Sequence, residues 1–169
     1  MQSPEIFAAL ISVGYLGCAL VAWTLLAPDS ATAFPQALFF LILILNTYFS
    51  IRFFRPIYAS TPHQRALDVV LGITYLFLAG SIGRSVTFEL LAVILFALAT
   101  TKYILLIRTV NSQVVRRKIE IDILGCILCA SALAASLSGY HSESAWTLTG
   151  VFAVANVYLL IVRPMYRTR

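Results

Sequence analysis

The chain has 169 residues, of which 60% are apolar and only 11% carry a charge, and its mean hydropathy is +0.91. Soluble domains carry roughly a quarter charged residues, so this composition excludes a soluble globular protein. Because apolar runs use up most of the chain, a separate soluble catalytic domain does not fit either. Apolar runs of about 20 residues can cross about 30 Å of hydrocarbon, and six such runs occupy most of the chain. The sequence therefore predicts an all-α integral membrane protein with a single transmembrane domain over residues 1–169.

Six transmembrane helices are predicted, over residues 6–27, 35–54, 66–83, 86–108, 119–139 and 146–166. The second is aromatic and aliphatic almost throughout, so we expect it to face lipid over much of its circumference. The fifth carries the smallest side chains of the chain in its second half, residues 129–138. Small residues allow close packing in a membrane, which predicts the fifth helix at the centre of the bundle.

The basic residues predict the topology. Ten of the twelve Lys and Arg residues lie in alternate inter-helix segments and at the C-terminus, whereas Arg84 lies on the other side. The positive-inside rule assigns the basic side to the cytoplasm, and an even number of helices then makes the protein N-in/C-in. We expect a multi-pass protein of the bacterial cytoplasmic (inner) membrane. Its basic cytoplasmic face comprises Arg52, Arg55, Arg65, Arg108, Arg116, Arg117, Lys118 and Arg163, followed by Arg167 and Arg169.

A repeated helix ending suggests tandem helical hairpins. Tyr48, Tyr103 and Tyr158 are 55 residues apart in both steps, and an arginine follows each of them. Between the second and third hairpins, Asp68 matches Asp122 and Glu89 matches Glu143 at a spacing of 54. Two interpretations stay open. Either one hairpin occurs three times, or every helix that ends on the inner side finishes in Tyr and Arg because of aromatic belts and charge bias.

Ionisable and amide side chains near the ends of the spans are the candidate site. Asp68 and Asp122 begin helices, where a carboxylate interacts favourably with the helix N-terminus, so one interpretation is capping and pairing with nearby arginines. The other is an ion or ligand vestibule, since ionisable groups in membrane spans are costly and often functional. The vestibule candidates are Asp68, Asp122, Lys102, Glu89, Asn46 and Asn156.

An intramembrane enzyme is the third and least favoured hypothesis, because it would need Cys126, Cys129, Asp122 or a histidine to converge on one cavity. Cys126 and Cys129 have the spacing of a redox or metal pair, but buried thiols are inert unless their pKa is lowered, and the fifth helix has no further zinc ligand. His63 and His141 fall on opposite sides of the predicted membrane, so they cannot together bind one haem or metal ion. We therefore predict no catalytic residue, no metal site and no cofactor. The basic residues mark topology, so we expect no nucleic-acid partner.

Two functions are compatible with these features. The first is a non-catalytic accessory, anchoring or sensory subunit that offers its basic cytoplasmic face to a protein partner, to another copy of itself or to membrane lipids. The alternative is a small oligomeric channel or carrier for a neutral or lipidic solute. A channel requires a continuous polar path from Asp68, Asp122 and Lys102 to Glu89 and Glu143.

Overall fold

The computed structural model describes residues 3–26, 31–57, 61–108, 110 and 112–162. This part of the chain is helical, with six α-helices and no strand. The helices are α1 (Pro4–Leu26), α2 (Ala33–Phe54), α3 (Pro62–Gly80), α4 (Ser85–Ile107), α5 (Gln113–Leu137) and α6 (His141–Val157). A 3-10 turn, Arg55–Ile57, follows α2, and a π-helical turn, Tyr158–Val162, follows α6.

Five of these helices are long and apolar enough to cross a membrane. They cover Pro4–Thr24, Ala33–Phe54, Ser85–Ile107, Gln113–Leu137 and His141–Val162. The remaining helix, α3, has 19 residues and begins with a polar turn that contains His63, Gln64 and Arg65. An all-helical chain with several such apolar helices is compatible with a multi-pass membrane protein.

All six helices begin earlier than the sequence predicted, and in α3 and α5 a polar cap starts the helix before the apolar run. Thr61 forms a capping box in which its hydroxyl accepts a hydrogen bond from the Gln64 amide at 3.3 Å, and α3 begins at Pro62. Ser112 accepts a hydrogen bond from the Val114 amide in the same way and starts α5. Hydropathy marks only the apolar part of a helix, whereas these caps fix its true start. Residues 163–166 of the predicted sixth helix lie outside the described residues.

The six helices form a closed ring. Each packs against two neighbours, in the order α1, α2, α6, α5, α4, α3 and back to α1, and α4 also touches α6 across the interior. Short connections make consecutive helices antiparallel. The N-terminal ends of α1, α3 and α5 therefore lie with the C-terminal ends of α2 and α4. We call this the basic end, because the described members of the predicted basic face lie there.

Consecutive helices pack as three hairpins, α1/α2, α3/α4 and α5/α6. In the ring order given above, α1 comes before α2 in the first hairpin. In the other two hairpins the order is reversed, since α6 comes before α5 and α4 comes before α3. A rotation can therefore relate the last two hairpins, in agreement with the matched spacing of Asp68 and Asp122, but a threefold axis cannot relate all three. The three tyrosines differ accordingly, since Tyr103 is buried and Tyr158 is 44% exposed.

Two expectations were wrong, namely that α2 faces lipid over much of its circumference and that α5 lies at the centre of the bundle. Of the five long apolar helices, α2 is the most buried, and its Phe39 and Phe40 are almost fully enclosed. The small residues Ala130, Ser131 and Ala134 of α5 are exposed, so α5 is one member of the ring and not its centre. Bulky α2 side chains fill the interior, because a ring of six helices encloses more space than small residues can fill.

Four phenylalanines close the interior on the side away from the basic end. Phe39 of α2 lies 4.5 Å from Phe152 of α6 and 5.7 Å from Phe88 of α4, between ring centroids. Phe96 of α4 packs edge-on against Phe152 at 5.9 Å. All four rings are buried, and we refer to them as the aromatic layer. Such pairs stabilise a core beyond simple area burial, so the layer joins α2, α4 and α6.

The close contact of α4 with α5 depends on Gly125. A Cβ atom added there would lie 2.6 Å from Cε1 of Phe96, a ring that the aromatic layer holds in place. We expect Gly125→Ala to lower the free energy of unfolding by about 1 to 3 kcal/mol through overpacking. Gly150→Ala is the matched control because nothing lies within 4 Å of its added Cβ. Unfolding of the purified protein in detergent measures both, and equal effects would contradict this packing.

Candidate functional site

A cavity of about 490 Å³ lies inside the ring at the basic end. Side chains of α1, α2, α3, α4 and α5 line it, together with Arg55 of the 3-10 turn. Its lining reaches the basic end, where Arg65 is exposed and Arg55 is half-buried. It ends at the aromatic layer, because Phe96 is part of both. We call it the basic-end cavity.

Much of the cavity lining is apolar. Its apolar lining includes Phe7, Ile11, Leu43, Leu71, Leu95 and Phe96. These side chains belong to α1, α2, α3 and α4. Charged and hydroxyl side chains of α2, α3, α4 and α5 form the rest of the wall. The cavity is therefore amphipathic.

A buried ion pair forms part of the polar wall. Lys118 Nζ lies 2.5 Å from Asp122 Oδ1, one turn along α5, and the side chains are only 8% and 1% exposed. The Lys118 ammonium also lies 5.5 Å from the centroid of the Tyr103 ring. Asp122 Oδ2 is buried and has no hydrogen-bond partner among the described residues. This carboxylate oxygen is available to a donor that enters the cavity.

A second ion pair joins α3 to α4. Lys102 Nζ lies 2.5 Å from Asp68 Oδ1, and the side chains are 15% and 49% exposed. Lys102 lies inside the ring, and Asp68 is nearer to solvent. A charge that is shielded from water, such as that of Lys102, is costly when its partner is lost. This pair therefore helps to keep α3 in the ring beside α4.

Hydroxyl groups continue the polar wall along α2. The Ser50 hydroxyl is 2.5 Å from that of Tyr103, and the Thr47 hydroxyl is hydrogen-bonded to that of Tyr75. Tyr75 in turn stacks on Tyr15 of α1, with 4.7 Å between ring centroids. These contacts join α1, α2, α3 and α4 around the cavity, so its shape is fixed by direct side-chain interactions.

Arg55 lies at the mouth of the cavity. Its guanidinium carbon is 3.6 Å from the centroid of the Phe7 ring. Its Nη1 atom is buried and has no hydrogen-bond partner among the residues that the structure describes. The sequence assigned Arg55 to the basic face only. No sequence signal distinguishes it from its neighbours, because its position depends on the contact between α1 and the end of α2.

The structure brings four of the six vestibule candidates together. Asp68, Asp122, Lys102 and Asn46 all line the basic-end cavity. Each of the two carboxylates pairs with a lysine, whereas the capping interpretation invoked arginines. Charge pairing and a ligand site are therefore compatible here, since the same side chains form the pairs and the cavity wall.

Glu89 and Asn156 lie elsewhere. Glu89 precedes Lys102 by 13 residues on α4, or about 20 Å along a helix. It is fully buried and accepts a hydrogen bond from the Ser144 hydroxyl at 2.7 Å. The Asn156 amide donates to the Phe152 carbonyl at 2.8 Å. The aromatic layer separates Glu89 from the basic-end cavity, and no polar path joins the two through the described residues. Asn156 lies on α6, which contributes no described residue to the cavity lining.

The residues of the predicted basic face differ in their exposure to solvent and in their partners. Arg52 forms an ion pair with Glu5 at 2.5 Å, and both side chains are well exposed. Arg65, Arg108 and Arg116 are exposed as well, and Arg117 is half-buried. Lys118 is buried in the cavity wall. Arg163, Arg167 and Arg169 lie outside the described residues.

The thiol pair has packing contacts. Cys129 is buried, and the Cys126 thiol is 3.8 Å from the Val93 carbonyl oxygen. Both are free cysteines. The described part of the chain contains no group of three or more His, Cys, Asp or Glu side chains that could hold a metal ion.

No model of a known protein family, no curated protein and no solved structure matches this chain. The basic-end cavity is therefore the main guide to its function.

The buried ion pair allows a test of the cavity wall. We expect Asp122→Leu to lower the free energy of unfolding by about 3 to 5 kcal/mol, because it leaves Lys118 buried without its partner. Adding Lys118→Met should restore most of the loss. Glu5→Gln, which breaks an exposed pair, should cost less than about 1 kcal/mol. Equilibrium unfolding in detergent measures the set, and a double variant no more stable than Asp122→Leu would contradict the pairing.

Proposed function

We propose that this chain is a six-span protein of the cytoplasmic (inner) membrane, with both termini in the cytoplasm, that binds an amphiphilic, lipidic ligand in the basic-end cavity as a carrier or a sensor. The observation that carries the proposal is the cavity itself, which combines an apolar interior with a charged mouth. A non-catalytic role is part of the proposal.

The sixth span is supported by the position of α3. This helix completes the ring between α1 and α4, and its exposed side chains include Val69 and Phe77, which are 62% and 64% exposed. Large apolar side chains on the outside of a helical ring are favourable only against lipid or another protein. Its polar first turn lies at the basic end, where lipid headgroups would meet it. The positive-inside rule then supports the cytoplasmic assignment of that end.

An amphiphilic ligand suits the two halves of the cavity. Small-molecule sites have volumes of about 300 to 1,000 Å³ and are mostly apolar with a few polar groups, and this cavity of about 490 Å³ falls within that range. The apolar lining suits a hydrocarbon portion. The unpartnered oxygen of Asp122 and the mouth arginines suit a polar group.

The aromatic layer favours a carrier or sensor over an open channel. A channel needs a continuous polar path, whereas Phe39, Phe88 and Phe152 fill the interior between the cavity and the opposite end. An alternating-access carrier in one state has access from one end only. A receptor for a membrane-derived molecule also needs only one entrance.

An accessory or anchoring subunit is the second candidate function. It is favoured by the exposed arginines Arg65, Arg108 and Arg116 at a single end of the ring. Such a basic face attracts anionic headgroups and suits an acidic protein partner. A further copy of this chain is another partner for the apolar outer surface of the ring.

Filling the cavity tests the proposed function. Ala99 lines the cavity, and Ala97 on the same helix is exposed on the outside. We expect Ala99→Phe to abolish retention of an amphiphile during purification, because the new ring occupies its volume, whereas Ala97→Phe should leave retention unchanged. Native mass spectrometry of the protein extracted in mild detergent measures the bound molecules.

Two results of this experiment would oppose the proposal. One is equal retention by both variants. The other is a wild-type protein that carries no amphiphile but purifies with a stoichiometric second protein. If Arg116→Gln with Arg117→Gln then releases that protein, the accessory role is favoured. Lys118 is left unchanged in this variant, because its substitution would also break the buried ion pair.

A further inference from the structure

We infer that the polar group of the ligand is an anion, a phosphate or a carboxylate, and that Arg55 holds its oxygen atoms at the mouth of the basic-end cavity. This inference rests on the proposed function and identifies the chemical class of its ligand. Three observations lead to it: the position of the Arg55 guanidinium, its unpaired buried nitrogen, and the charge balance of the cavity lining.

The Arg55 guanidinium is held in place before any ligand arrives. Its carbon atom lies 3.6 Å from the centroid of the Phe7 ring, and guanidinium groups stack on aromatic faces in this way. The ring comes from the second turn of α1, and the arginine comes from the 3-10 turn after α2. Stacking fixes the plane of the guanidinium, and its N–H groups form a rigid fork that matches carboxylate and phosphate oxygens.

The buried nitrogen of Arg55 requires an acceptor. Nη1 is shielded from solvent but has no hydrogen-bond partner among the described residues. A buried charged donor that lacks a partner loses its hydration without compensation, which is costly. Because Arg55 lines the cavity, an acceptor bound there would satisfy it. Anionic oxygens form the strongest hydrogen bonds with a guanidinium.

The charge of the lining also favours an anion. Among the described residues, Arg55, Arg65, Lys102 and Lys118 line the cavity with two carboxylates, Asp68 and Asp122, so cations exceed anions by two (four minus two). Each lysine is paired with one of the aspartates. A cationic headgroup would add to this excess, whereas an anion reduces it.

Arg55, with Arg65 nearby on the lining, is therefore the anion-recognising part of the site, and Asp122 Oδ2 is free to accept a hydrogen bond from a hydroxyl or amine of the same ligand. The anion has two possible sources, an anionic lipid headgroup or a free anion from the cytoplasm. The two share the same oxygen chemistry and differ in whether a hydrocarbon chain occupies the apolar part of the cavity.

The test compares three probes on delipidated protein in an uncharged detergent. They are a short-chain phosphatidylglycerol, a diacylglycerol with the same chains, and inorganic phosphate. Ligand-induced shifts in thermal unfolding give the affinities. We expect the wild-type protein to bind phosphatidylglycerol at least about tenfold more tightly than diacylglycerol, since hydrogen bonds between charged groups are stronger than those between neutral groups.

Substitutions assign this preference to Arg55. Arg55→Gln should remove the preference for phosphatidylglycerol and leave diacylglycerol binding unchanged, and Arg55→Lys should retain part of it because the charge remains without the planar fork. The matched control is Arg108→Gln, which removes one positive charge from an exposed arginine at the same end and should have no effect. Each variant is first compared with the wild type by gel filtration and by its unliganded melting temperature.

The outcomes separate this inference from the proposed function. Equal binding of phosphatidylglycerol and diacylglycerol, or equal losses in Arg55→Gln and Arg108→Gln, would overturn the anion site while amphiphile binding stands. Phosphate that binds as tightly as phosphatidylglycerol, in an Arg55-dependent manner, would support the anion site and remove the need for a hydrocarbon chain. Absence of binding by all three probes would overturn both.

Discussion

Charge that is buried at the depth of a membrane helix is costly unless it is paired, and this constraint organises the basic end of the ring. Lys118 and Asp122 pair within α5, and Lys102 pairs with Asp68 across the contact of α4 with α3. Lys118 neutralises the enclosed Asp122 carboxylate, and the half-exposed Asp68 neutralises Lys102, which lies inside the ring. Both ion pairs line the cavity. Pairing therefore allows charged side chains to remain inside a ring whose outer surface is apolar.

The two halves of the interior follow from the order of the helices. The chain continues from α2 directly into α3, yet these helices are not neighbours in the ring. Both helices line the cavity, and the hydrogen bond between the Thr47 and Tyr75 hydroxyls joins them there. Towards the other end, the aromatic layer fills the space with rings from α2, α4 and α6. The same ring of helices therefore has one packed half and one open half, and ligand chemistry is confined to the open half.

Composition and charge bias predicted the helices and the clustering of polar side chains at one end, because hydropathy and the cost of charge in hydrocarbon act locally in the sequence. The order of the helices depends on contacts between distant residues, so the burial of α2 and the reversed first hairpin could not be predicted. Asp68 and Asp122, which the spacing matched, both line the basic-end cavity. The role of Arg55 was missed, because its position depends on Phe7, 48 residues earlier in the chain.

The central claim is a cavity that opens at the basic end and is closed by the aromatic layer. Labelling of single cysteines by a membrane-impermeant maleimide tests it most directly, in a background without Cys18, Cys126 and Cys129. In oriented vesicles, Ala99→Cys should react only from the cytoplasmic side, and Ala92→Cys, fully buried in the native protein, should react from neither. Reaction of Ala99→Cys from both sides would indicate an open channel, and its failure to react from either side would contradict an accessible cavity.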